Sequence, residues 1–164
     1  MDLDEFMKNQ DEAGMLKSRG YFNRLIKEEM DAGIPPSRIV MGGFSQGGAM
    51  ALLTGITHPE KLGGIFALSC YTPLSNKLKD MLPESWPNKN VPVFVAHGDI
   101  DQVVRFELGQ RSAQFLKDLG MNVDFRKYPD LGHAGRPDVT SDLAKYIRSI
   151  LPPVEKKAQR PNGA

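Results

Sequence analysis

Met41-Gly42-Gly43-Phe44-Ser45-Gln46-Gly47-Gly48-Ala49 holds a Gly-x-Ser-x-Gly core, with an apolar run at residues 38–44 leading in and a helical pattern at 48–57 leading out. Strand, glycine-flanked serine, helix is the order a nucleophile elbow requires. The turn is sharp enough to strain the serine backbone. Strand and helix approach so closely that glycine is needed on either side, hence Gly43 and Gly47. Such a turn lifts the Ser45 hydroxyl clear of the sheet and leaves the Gln46 amide, at the helix N-terminus, facing a developing oxyanion. The competing reading is a glycine-rich turn with an incidental serine, and the flanking strand and helix weigh against it. A phosphate-cradling loop is excluded, because no Gly-Lys-Ser/Thr follows and the dinucleotide glycine spacing is absent.

The chain has 164 residues, 40% hydrophobic and 25% charged, which suits one soluble globular domain. A chain of this size buries about 70% of its unfolded surface, so no staple is needed. Cys70 is the single cysteine and lies in an apolar run, which fits a reducing setting, cytoplasmic or nuclear. Neither an apolar stretch long enough for a membrane span nor a secretory signal is predicted. Net charge is +1 and the only basic cluster, Lys156, Lys157 and Arg160, sits in a Pro-rich tail, so nucleic acid is not an expected partner.

Residues 1–10 are acidic and aperiodic. From Asp11 the spacing of Met15, Leu16, Phe22, Leu25, Ile26 and Met30 predicts a helix, stopped by Gly33 and Pro35-Pro36. Strands are predicted at 38–44, 63–69, 91–97 and 122–128, the last alternating as at a sheet margin, with an irregular segment at 71–90. Helices are predicted at 48–57, at 106–119 with Gly120 as the stop, and at 138–151, ended by Pro152-Pro153. Strands and helices alternating with short links predict a parallel sheet covered on both faces, in one domain at 11–151 with flexible tails at 1–10 and 152–164.

A serine at neutral pH is a weak nucleophile; it needs a base, and the base needs an orienting carboxylate. Of the three histidines, His58 stands before Pro59 as a helix terminator. His97, at the end of the third strand, is expected to make a hydrogen bond that shapes the next loop. His133 lies in a glycine-flanked loop after the last strand, where the base of such an enzyme belongs. The loop His97-Gly98-Asp99-Ile100-Asp101-Gln102-Val103-Val104 offers two aspartates. Asp99 is expected to cap its turn, whereas Asp101 could reach the histidine loop. The order Ser45, Asp101, His133 is the α/β-hydrolase order.

Four phrases are more specific: Gly-Gly-Phe-Ser-Gln-Gly-Gly-Ala from Gly42, Leu-Gly-Gly-Ile-Phe-Ala-Leu-Ser-Cys from Leu62, His-Gly-Asp-x-Asp-x-Val-Val from His97, and Gly-Ile-Pro-Pro-Ser-Arg-Ile from Gly33. Together they resemble the acyl-protein thioesterase family over about residues 11–151, its fungal branch most. The resemblance implies an α/β-hydrolase-type parallel sheet with Ser45 as nucleophile, Asp101 as acid, His133 as base and the Gln46 amide as one oxyanion donor. It also places residues 69–82 beside an acyl channel, with Leu74 as a candidate acyl contact and plain anchoring of the loop as its alternative. The implied reaction is hydrolysis of S-acyl thioesters, such as palmitoyl-cysteine on membrane-associated proteins, without metal or organic cofactor and with transient contact at the membrane surface. A carboxylesterase or lysophospholipase acting on lipid esters is the nearest alternative, and a non-catalytic acyl-binding module the more distant one. One departure stands out: the family's His-Gly-x-Gly-Asp-type loop, source of a second oxyanion amide, has no counterpart here. The chain is therefore expected to lack the N-terminal strands of the family domain, leaving the apolar strand at 38–44 on an exposed edge.

Overall fold

Four short runs rich in Val, Ile, Phe and Ala form the sheet, and their two-sided apolarity is what burial beneath helices demands. The computed structural model describes residues 8–154. In order, the elements are α1 (Glu12–Asp31), a 3-10 turn (Pro36–Arg38), β1 (Val40–Phe44), α2 (Gln46–Thr57), β2 (Gly64–Leu68), a second 3-10 turn (Leu78–Met81), β3 (Val93–Gly98), α3 (Phe106–Asp118), β4 (Val123–Tyr128) and α4 (Pro137–Ile150). All strand pairs are parallel and the sheet order is β1-β2-β3-β4.

Register divides the sheet into two faces. Ile65, Ala67, Val93 and Val95 pack with Leu52, Leu53 and Ile56 of α2 and Leu116 of α3. Phe94, Ala96 and Tyr128 pack on the opposite face with Val139, Leu143 and Tyr146 of α4. Each fully buried Leu or Ile contributes about 1.5–3 kcal/mol, so the α2 side carries most of the stability. The architecture is that of an α/β-hydrolase sheet with helices on both faces.

Several boundaries differ from the sequence expectation. The strand predicted at 38–44 starts at Val40, because Pro36 fixes φ and initiates a 3-10 turn through Arg38. The helix predicted at 48–57 begins two residues earlier, directly after Ser45. The irregular stretch at 71–90 holds the second 3-10 turn, and Trp86 Nε1 donates to the Ile56 carbonyl (3.2 Å), pinning it to the end of α2. Two residues expected in tails are tied down: Gln10 Oε1 accepts from the Leu74 amide (2.9 Å), and the Pro152 carbonyl accepts from Arg38 (3.0 Å). The basic cluster Lys156, Lys157 and Arg160, like residues 1–7, lies outside the described residues. Among the described residues β1 pairs only with β2, and Phe44 is 40% exposed, so this strand is an edge despite its central-strand composition.

Candidate active site

Site residues collect at the carboxyl ends of the strands. Ser45 ends β1 with φ 54° and ψ −124°, a left-handed backbone that a side chain rarely adopts. Such a conformation costs about 1–3 kcal/mol and persists only when its surroundings enforce it. Here they do: the Ser45 amide donates to the Leu68 carbonyl (2.8 Å) and its carbonyl accepts from Ala49 (3.1 Å). Gly43 makes the turn possible, since a Cβ there would sit 2.4 Å from the backbone carbon of Gly47. At Gly47 itself, also expected to need glycine, a Cβ would meet nothing within 4 Å; the second tight position is Gly48, whose Cβ would lie 2.8 Å from the Gly43 carbonyl oxygen. Ser45 is also the N-cap of α2 and makes no side-chain cap bond. The Gln46 amide therefore sits in the first turn of α2, where amides lack intrahelical partners and the helix dipole is positive.

The Ser45 hydroxyl lies 2.9 Å from His133 Nε2, and His133 Nδ1 lies 2.8 Å from Asp101 Oδ2. An ionised carboxylate only accepts, so the imidazole proton belongs on Nδ1, leaving Nε2 to accept from the serine hydroxyl. Asp101 is 3% exposed, and its Oδ1 accepts from the amides of Val103 and Val104 (2.9 Å each). The Phe44 ring packs against the imidazole at 4.7 Å between centroids. None of these three partners of Asp101 and His133 is legible in the sequence. Two are backbone amides, and Phe44 reads as an ordinary strand residue.

The two loops that meet here hold each other. The Ile100 amide donates to Leu131 (3.2 Å) and the Asp99 amide to Tyr128 (3.1 Å). Asp99 was expected to cap its own turn. Its Oδ1 instead accepts from the Asp130 amide (2.8 Å), capping the histidine loop where Asp130 has φ 56°. His58 ends α2 as expected, its ring accepting from the Glu60 amide (3.1 Å). His97 is 1% exposed and donates through Nε2 to the Val104 carbonyl (2.8 Å), and burial pushes its pKa below the usual histidine value.

Leu74, the candidate acyl contact, is 4% exposed within the main core cluster. A cleft of about 340 Å³ opens between α1 and the start of α2, bordered by Met15, Ser18, Phe22, Gln46, Gly47 and Met50. A larger depression of about 730 Å³ runs along α4 beside Arg136, Thr140, Lys145 and Arg148, and none of Ser45, Asp101 or His133 lines it. Among the described residues no group of three His, Cys, Asp or Glu side chains is placed to hold a metal, and no helix is long and apolar enough to cross a membrane.

A family profile described as Phospholipase/Carboxylesterase matches residues 1–151. The chain belongs to the phospholipase/carboxylesterase family. Acyl-protein thioesterase 1 of Emericella nidulans is 56% identical over 93% of this chain, and that of Aspergillus fumigatus 52% identical over 93%. Each match covers 64% of the relative, so the chain spans just under two thirds of their length. Both relatives are fungal, in line with the branch the sequence resembles most. Among solved structures, Arabidopsis thaliana SOBER1 superposes with a TM-score of 0.81 at 32% identity, covering 86% of this chain and 66% of that one. Zea mays acyl-protein thioesterase 2 superposes with a TM-score of 0.74 at 28% identity, covering 85% and 65%. What this phospholipase/carboxylesterase-family chain shares with the two solved structures is the fold.

Proposed function

We propose that this protein is a serine hydrolase of acyl thioesters, with Ser45 as nucleophile, His133 as general base and Asp101 as the orienting carboxylate. The observation that carries this reading is the unbroken line of hydrogen bonds from Ser45 Oγ to His133 (2.9 Å) and from His133 to Asp101 (2.8 Å). Ser45 Oγ attacks the thioester carbonyl carbon while His133 Nε2 takes the hydroxyl proton. Negative charge moves onto the carbonyl oxygen, where the Gln46 amide stabilises it. As the tetrahedral intermediate collapses, the C–S bond breaks and the sulfur leaves with the proton from His133. Water then gives a proton to His133 and attacks the acyl-serine ester. The carboxylic acid departs and Ser45 recovers its proton.

The thioester reading is supported by the names of the two fungal relatives, both acyl-protein thioesterase 1. The substrates are S-acylated proteins, met during transient contact with a membrane surface in the cytoplasm, and one domain at 11–151 carries the site. Met15, Phe22 and Met50 give the cleft beside Gln46 an apolar lining suited to an alkyl chain. A second reading, hydrolysis of oxygen esters such as lysophospholipids, is supported by the Phospholipase/Carboxylesterase description of the family. A fluorophosphonate probe tests the common core: it should label one peptide, the one containing Ser45, and Ser45→Ala should abolish labelling. Label that survives the substitution or maps to Ser69 overturns the assignment. Rates on an S-palmitoyl peptide and on a lysophospholipid then separate the two readings.

A further inference from the structure

Nothing in the proposed chemistry uses His97, yet the fold makes unusual room for it. The ring is 1% exposed, beneath α3. A Cβ on Gly109 of α3 would lie 2.1 Å from His97 Nδ1, so a glycine in mid-helix is required to seat the imidazole. Glycine there is a weaker helix former than alanine. A carbonyl can only accept, so the bond to Val104 fixes the proton on Nε2 and leaves Nδ1 a lone pair. That buried Nδ1 has no hydrogen-bond partner, a further cost to the fold.

What the imidazole reaches explains its presence. Its Nε2 donates to the Val104 carbonyl (2.8 Å), and the amide of the same residue donates to Asp101 Oδ1 (2.9 Å). Nε2 also lies 3.6 Å from Asp101 Oδ2, the oxygen that receives His133 Nδ1–H. Val104 is thus gripped at both polar ends, its carbonyl by His97 and its amide by the acid.

We propose that His97 is a positioning residue: by holding the Val104 carbonyl it sets the peptide whose amide fixes Asp101, so that Oδ2 stays aimed at His133. This rests on the serine-hydrolase reading of Ser45, Asp101 and His133. The ring acts uncharged, and the titratable groups around it are Asp101 in its own loop, His133 across from it and Glu107 on α3.

Three variants separate positioning from packing. In His97→Gln the amide nitrogen reaches the place of Nε2 and can donate to Val104. In His97→Asn it is too short to do so, and His97→Phe fills the space without a donor. The rate at which Ser45 is phosphonylated by a fluorophosphonate is measured against pH, per folded molecule. We expect losses of about 100-fold for Asn and Phe, the scale of a misplacement near 1 Å, with near-normal rates for Gln. The His133 Nδ1 proton resonance reads the same alignment without any reaction. An unreactive wild-type Ser45 would count against the hydrolase reading, while the resonance would still test His97. Unchanged rates and resonance in folded His97→Asn or His97→Phe overturn the proposal, as does a Gln variant no better than Asn.

Discussion

Asp99 and Asp101 stand two residues apart in one loop and do different work. Asp101 Oδ1 is saturated by two amides and its Oδ2 receives His133, whereas Asp99 supports the turn at Asp130 and lies 3.6 Å from Lys127. Asp101→Asn should keep the fold but offer His133 Nδ1 an amide in place of a carboxylate. In serine proteases the equivalent change costs on the order of 10⁴ in kcat, and a loss of that order is expected here in the reactivity of Ser45. Asp99→Asn retains a carbonyl oxygen for the Asp130 amide and should cost far less. Comparing Ser45 labelling rates of the two variants decides it: equal losses, or a larger one at Asp99, would reverse the assignment.

The element that most depends on one polar side chain is the connection from α2 into β2. Asn88 is fully buried; its Oδ1 accepts from the Leu62 amide (2.9 Å), and its Nδ2 donates to the His58 and Glu60 carbonyls (2.8 Å each). It does so from the far end of the 71–90 stretch, so one side chain closes a loop whose sequence reads only as irregular. Asn88→Leu would leave the buried Leu62 amide and His58 carbonyl unpaired, at about 1–3 kcal/mol each before relaxation, along with the part-buried Glu60 carbonyl. A loss of about 3 kcal/mol or more in urea unfolding is expected, with Ser45 labelling per folded molecule unchanged, because the carboxyl ends of the strands are remote from this connection. A loss under 1 kcal/mol would mean that water or a shifted backbone replaces those bonds.

For the whole molecule, β1 is the point of weakness. Among the described residues it pairs on one side only and carries the 40% exposed Phe44, and exposed apolar edges invite strand pairing between chains. The 164-residue chain expressed alone is therefore expected to self-associate, seen as light scattering that rises with concentration. Val40→Lys places a charge at the start of that edge and should lower the scattering; a wild-type chain that stays monomeric at high concentration would refute the expectation.

Sequence alone was enough for what local rules govern. The Gly-x-Ser-x-Gly turn between a strand and a helix, the alternation of strands with helices, and the order Ser45, Asp101, His133 all follow from spacing, apolar periodicity and the steric needs of a tight turn. Tertiary structure decided whatever depends on partners distant in the chain. It gave Asp99 the histidine loop to cap, tied Gln10 to Leu74, buried Leu74 in the core, and put the centrally composed β1 at an edge. It also supplied the amides of Val103 and Val104 and the carbonyl that His97 holds. Backbone groups are alike at every residue, so no pattern in the sequence marks which of them will meet a buried carboxylate or imidazole; only the packed chain brings them there.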